Sequence, residues 1–175
     1  MKTKNNTYVI VIVALMIALE VILNRFAGIT TEAIHVGIDF LPIVVVAMLF
    51  GPLWAGIAYA IGDLIGAVLF PYGAINPGIT ITLALVGITY GIVFFRKDLS
   101  GKKIIWGSLI ASLITAVPIK LFGTTLALAL FYGTPYNILL VTRIPNCAIF
   151  FVAQMILIPI IYKLVVSKLP IYKTS

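Results

Sequence analysis

The chain has 175 residues, of which 62% are hydrophobic and only 10% charged, with a mean hydropathy of +1.21. That balance excludes a soluble globular domain, which could not cover so much apolar surface, and predicts an integral membrane protein. A net charge of +7 would suggest a nucleic-acid partner in a soluble chain, but here the basic residues cluster beside long apolar runs, which is an orientation signal, and no nucleic-acid binding is expected.

A bilayer span needs about 20 apolar residues for a hydrocarbon core of about 30 Å. Six segments approach that length, so the sequence predicts an all-α integral membrane bundle of six transmembrane helices. No composition break, charged tail, low-complexity tract or linker interrupts residues 1–175, and a single membrane-embedded domain is expected.

The first segment, Tyr8 to Leu23, follows a basic start at Lys2 and Lys4 with no small-x-small cleavage site, and is expected to be retained as a span. Ala14 and Ala18 share one of its faces, and small residues four apart let helices approach closely. They are expected to form a docking face for another subunit, with packing inside the chain as the alternative. Arg25 and Phe26 close the segment, and the loop that follows, with Glu32, His35 and Asp39, reads as a lid.

The second segment, Phe40 to Phe50, is short and joins the third, Pro52 to Phe70, through Phe50-Gly51-Pro52, a combination that predicts a tight hairpin. Gly62 and Gly66 share a face of the third segment, and Gly87 and Gly91 share a face of the fourth, Pro77 to Phe95; both pairs read as internal packing. The fifth segment, Ile104 to Phe131, holds Lys120 between Pro118 and Gly123, which predicts a kinked helix at that cation. The sixth, Ile138 to Val166, begins near Arg143, and Cys147 beyond it, the only cysteine, reads as packing among apolar neighbours.

Lys2 and Lys4, then Arg96, Lys97, Lys102 and Lys103, then Lys163, Lys168 and Lys173 fall on one side of a six-span bundle, which predicts cytoplasmic termini. Arg25, Lys120 and Arg143 then lie toward the outer half. A cation inside an apolar bundle must face a polar cavity or a partner, so the three together predict a pocket for a small anion, open to the outside. Arg25 could instead anchor the interface by snorkelling. Asp63 could serve only to bond a neighbouring helix, and Tyr132 and Tyr136 read as an aromatic belt.

Catalysis finds little support. His35 is the only histidine, no Gly-rich phosphate loop is present, and Glu20 and Asp63 are the only acids within spans. Ser100, Ser108, Ser112 and Ser167 fall opposite His35 in this topology. No catalytic residue, metal or cofactor is expected. A small intramembrane transferase or protease is the weaker alternative.

The ordered series Phe40-Leu41-Pro42-Ile43, Phe50-Gly51-Pro52-Leu53-Trp54-Ala55-Gly56, Gly62-Asp63-Leu64-Ile65-Gly66, Leu69-Phe70-Pro71-Tyr72-Gly73 and Pro77-Gly78-Ile79-Thr80, flanked by Arg25-Phe26 and Thr142-Arg143, resembles the substrate-binding S components of energy-coupling factor (ECF) vitamin transporters. Within that family it is most similar to the folate-specific members, over essentially the whole chain. The resemblance implies a bacterial cell-membrane protein that binds folate or a related vitamin from outside and delivers it inward with a membrane coupling subunit and two ATPase subunits. It also implies that the Ala14/Ala18 pair is the docking face for the coupling subunit. Arg25, Lys120 and Arg143 would suit the two carboxylates of folate's glutamate tail. Phe26, Tyr72, Asn76 and Asn146 are expected near the pterin, with His35 in the lid and Asp63 as a further contact. A different vitamin is the alternative within the family.

Overall fold

A computed structural model of the chain describes residues 6–26, 29–30, 35–70, 75–95, 99, 102–164 and 166. Six helices follow one another: α1 (Asn6–Phe26), α2 (Phe40–Phe50), α3 (Pro52–Leu69), α4 (Pro77–Phe94), α5 (Lys102–Tyr132) and α6 (Tyr136–Leu164). Five are long and apolar enough to cross a bilayer, and α2, with 11 residues, is not. Between α1 and α2 runs a small antiparallel ribbon, β1 (Ile29–Thr30) against β2 (His35–Val36), with Ile29 opposite Val36 and Thr30 opposite His35.

The second predicted span turns out to be the core of the bundle. Phe40 and every residue from Pro42 to Leu49 is buried, and α1, α3, α4 and α6 all pack against this helix. A helix that is apolar on every side can be surrounded by lipid or by protein, and with 11 residues it is too short to cross a bilayer, so it is most stable with other helices around it. The predicted hairpin after it is present. Gly51 adopts φ 96°, its N–H donates to the Ala47 carbonyl at 3.1 Å, and Pro52 starts α3 at the position where a missing N–H is harmless. A β-carbon at Gly51 would press on the Phe95 ring at 3.3 Å, so position 51 needs glycine for space as well as for conformation.

The two glycine pairs behave differently. Gly87 and Gly91 on α4 lie against the α3 backbone: a β-carbon at Gly87 would stand 2.5 Å from the Ala55 carbonyl oxygen, and one at Gly91 would collide with Pro52. Gly62 and Gly66 on α3 instead face charged side chains of α1, as described below. Position 118 lies in a ten-residue π-helical stretch, Thr115–Thr124, set between the α-helical parts of α5, Lys102–Ile114 and Thr125–Tyr132. Pro118 has no N–H to give, and the wider i to i+5 pattern absorbs the disruption that the sequence predicts at Lys120. At the start of this stretch the Thr115 hydroxyl meets Gln154 Oε1 of α6 at 3.0 Å, tying the two helices where the winding changes.

Candidate functional site

Helix α1 brings Glu20, Asn24 and Arg25 toward α3. Glu20 is fully buried, and its carboxylate fills the space that a β-carbon on Gly62 would need. One turn along, the Arg25 guanidinium lies over Gly66, with Nε 3.0 Å and Nη2 3.1 Å from the place of a β-carbon there. The Gly62/Gly66 pair is therefore internal packing as expected, but against a carboxylate and a guanidinium rather than against backbone. On the same face of α3, Asp63 accepts a hydrogen bond from the Thr80 hydroxyl of α4 at 2.6 Å.

Asp39, expected in the outer loop, is 2% exposed and lies at the leading end of α2. Its side chain does not cap the helix. Oδ2 accepts from the Tyr59 hydroxyl at 2.7 Å and from Asn24 Nδ2 at 3.4 Å. Tyr59 is itself wholly buried, one helical turn before Asp63. These partners went unrecognised in the sequence because Tyr59 reads as apolar bulk and Asn24 as a span end. The available signal was the i, i+4 spacing of Tyr59 and Asp63 on one face of α3.

The second half of the layer comes from α5 and α6. Lys120, half-buried, sets its Nζ 3.6 Å from the centroid of the Phe150 ring, which in turn meets Phe40 edge-to-face at 5.5 Å. Its acidic electrostatic neighbour is Asp39, and its basic one Arg143. Arg143, Asn146 and Cys147 stand on one side of α6 at i, i+3 and i+4, all half-buried, and Asn146 Oδ1 is buried with no hydrogen-bond partner among the described residues. Cys147, expected among apolar neighbours, has Lys120 and Arg143 beside it. Chain neighbours mislead on a helix, where the spatial neighbours are three and four residues away.

Asp39 stands between the two halves: Glu20 and Asp63 feel its charge on one side and Lys120 on the other. All six helices thus contribute to one polar layer, α2 through Asp39 at its head and α4 through the Thr80 hydroxyl. Three cations that could attract an anion are set among the carboxyl groups of Glu20, Asp39 and Asp63.

The remaining sequence candidates divide. Asn76 is 7% exposed and engaged at both ends: Oδ1 accepts from the Gly78 N–H at 2.9 Å, capping α4, and Nδ2 donates to the Ala127 carbonyl at 3.3 Å. Phe26 is 71% exposed and meets Phe70 edge-to-face at 5.5 Å. His35 belongs to β2, which touches α6; its side chain, Tyr72 and Glu32 lie outside the described residues. Ala14 and Ala18 are both exposed, which leaves the α1 face they share open instead of packed within the bundle.

A helical membrane bundle with a charged interior layer defines a small-molecule-binding membrane component, and comparison with known families gives its class. Residues 4–167 match the family described as "ECF-type riboflavin transporter, S component", and the chain belongs to this family of transporter S components. "Folate transporter FolT" of Clostridium novyi (strain NT) is 36% identical over 157 residues, covering 90% of this chain and 89% of its own. "Folate transporter FolT" of Streptococcus mutans serotype c (strain ATCC 700610 / UA159) is 28% identical over 130 residues, covering 73% and 70%. A solved structure described as "Crystal structure of FolT bound with folic acid" superposes with a TM-score of 0.78 at 31% identity, covering 88% of this chain and 90% of that one.

Proposed function

We propose that this chain captures folate from the outside of a bacterial cell membrane and delivers it inward as part of an ATP-driven importer. The observation that carries this reading is the interior layer itself. Arg25, Lys120 and Arg143 come from three helices and suit a ligand with two carboxylates, and the similar solved fold holds folic acid. Arginine forks can hold a carboxylate through two parallel N–H donors, while Lys120 offers a point charge held over Phe150 until a better partner arrives. Asp63 and Asn146 supply the acceptors that a pterin's amino and N–H groups need, and Tyr72 and His35 belong to the same proposed set. In this reading Asn76 supports the site by capping α4, and Phe26 covers its rim.

Transport needs energy that this chain has no motif to supply, so a membrane coupling subunit and two ATPase subunits complete the importer, with the open Ala14/Ala18 face of α1 as the contact.

A second reading follows from the family description, which names riboflavin. Riboflavin is uncharged at neutral pH and would leave three interior cations without a use, so the charge layer favours folate. Thermal stabilisation of the purified protein across a vitamin panel separates the two. Folic acid is expected to raise the melting temperature most and riboflavin to leave it unchanged; stabilisation by riboflavin alone would overturn the folate assignment.

A further inference from the structure

In the first part of α5 the residues buried in the bundle are Ile104, Ser108, Ala111 and Ser112, most of them small or polar. Larger side chains of the same turns face outward. Lys102, Ile105, Trp106 and Leu109 fall at i, i+3, i+4 and i+7, a single stripe of the helix. Together with Met155 of α6 they line an open groove of about 340 Å³. Ile105 and Trp106 are each more than half exposed, and Leu109 and Met155 are half-buried, so the described residues leave this stripe uncovered.

The groove is not uniform along its length. Four of its five lining residues are apolar, and the fifth, Lys102, is a cation at the start of the helix. Lys103 follows it, and Arg96 and Lys97 precede it in the chain. The distribution of basic residues assigns this end of the bundle to the cytoplasmic side. From Lys102 to Leu109 an α-helix rises about 10 Å, so an occupant meets positive charge at one end and hydrocarbon along the rest. That pattern complements a phospholipid whose headgroup carries net negative charge. A free phosphate ion would leave the apolar walls without a partner, and a neutral headgroup would bring Lys102 no net charge.

We infer that the groove between α5 and α6 binds an anionic phospholipid of the cytoplasmic leaflet, with its phosphate at Lys102. An acyl chain runs along Ile105 and Leu109 and against Met155, whose flexible thioether adapts to an irregular partner. Trp106 lies at the boundary, where an indole can keep its ring in hydrocarbon and its N–H near polar groups. Met155 follows Gln154, which meets Thr115, so the lipid sits beside the contact that ties the two helices. Helix α1 packs on α2 and α3, whereas this part of α5 packs on α4 and α6. The lipid and the Ala14/Ala18 face therefore belong to different helices, and the inference is independent of which vitamin the protein binds.

Native mass spectrometry of the purified full chain, with phosphatidylglycerol or phosphatidylcholine of matched acyl chains, reads the occupant directly. Wild type is expected to retain phosphatidylglycerol in preference to phosphatidylcholine. Lys102→Gln should reduce that preference about fivefold, the effect of one basic residue near an anionic lipid, and Lys102→Arg should keep it. Leu109→Trp, which fills the groove, should release both lipids. Equal retention of the two lipids by wild type, or a preference unchanged in Lys102→Gln, would overturn the inference. Thermal stabilisation by inorganic phosphate as large as that by phosphatidylglycerol would make this an ion site instead, and a dimer mass that disappears in Leu109→Trp would give the groove to a second copy of the chain. A wild-type measurement guards against variants that do not fold. Phosphatidylglycerol with a photoreactive acyl chain, in vesicles, should label the stretch from Lys102 to Leu109 and the neighbourhood of Met155 most strongly. Labelling spread evenly over the outward faces of all the helices would show ordinary bilayer contact and no site.

Discussion

Between α3 and α4, Gly87 and Gly91 let two backbones touch; between α1 and α3, Gly62 and Gly66 make room for a carboxylate and a guanidinium. The two pairs have the same spacing on similar helices, and both are internal. Yet one lets helix backbones meet, while the other seats two charged side chains. A small-residue pair in a membrane helix marks a close approach, and only the residue on the facing helix tells what approaches. Ala14 and Ala18 are the third case, a pair left exposed by the described residues.

The sharpest way to break this comparison is at Gly91. Gly91→Leu would drive a side chain into Pro52, and overpacking of this kind costs about 3 kcal/mol or more. Loss of folded protein, or a steep fall in melting temperature in detergent, is expected. An unchanged melting temperature would show that α3 and α4 can separate and that the two glycine pairs do not differ in kind.

The charged interface should respond in ligand binding first. Arg25→Ala removes a charge-assisted bond of about 1.5–3 kcal/mol, roughly a 10- to 150-fold loss of folate affinity. Pteroate, which lacks the glutamate tail, should lose much less. Gly66→Ala is expected to give a smaller change with the same ligand pattern, because its β-carbon displaces the guanidinium without removing it. Equal losses for folate and pteroate in both variants would show that Arg25 reads something other than the tail.

The smallest effect on binding is expected at the open face. Ala14→Trp and Ala18→Trp should leave folding and folate binding in detergent unchanged, since both positions are exposed. Transport and co-purification with the coupling subunit should both fail. Normal transport by both variants would remove the docking role of this face.

Much of the architecture was legible in the sequence. Apolar length marked the spans, Phe50-Gly51-Pro52 marked the hairpin, and Pro118 marked the altered winding around Lys120. What could not be read was partnership. Phe40 to Phe50 looks like a span because apolar composition does not distinguish lipid from protein as the surroundings, and only the packing shows α2 to be interior. Asp39 looked like a loop residue because its partners Asn24 and Tyr59 lie 15 and 20 residues away in the chain. Cys147 looked apolar because Lys120 reaches it from another helix. Cations announce themselves in a hydrophobic chain, whereas the hydroxyls and the amide that hold Asp39 and Asp63 in place do not.

The buried α2 also constrains how the protein is made. Eleven residues of helix extend about 16 Å, roughly half of a hydrocarbon core of about 30 Å, so this segment cannot leave the translocon as a stable span by itself. Its surroundings include α6, which follows the other five described helices in the chain and contributes Phe150 against Phe40. Until that helix arrives, α2 lacks one wall and Lys120 lacks the ring it rests on. Completion of the core and completion of the charged layer are therefore a single event, which waits for α6 to be inserted.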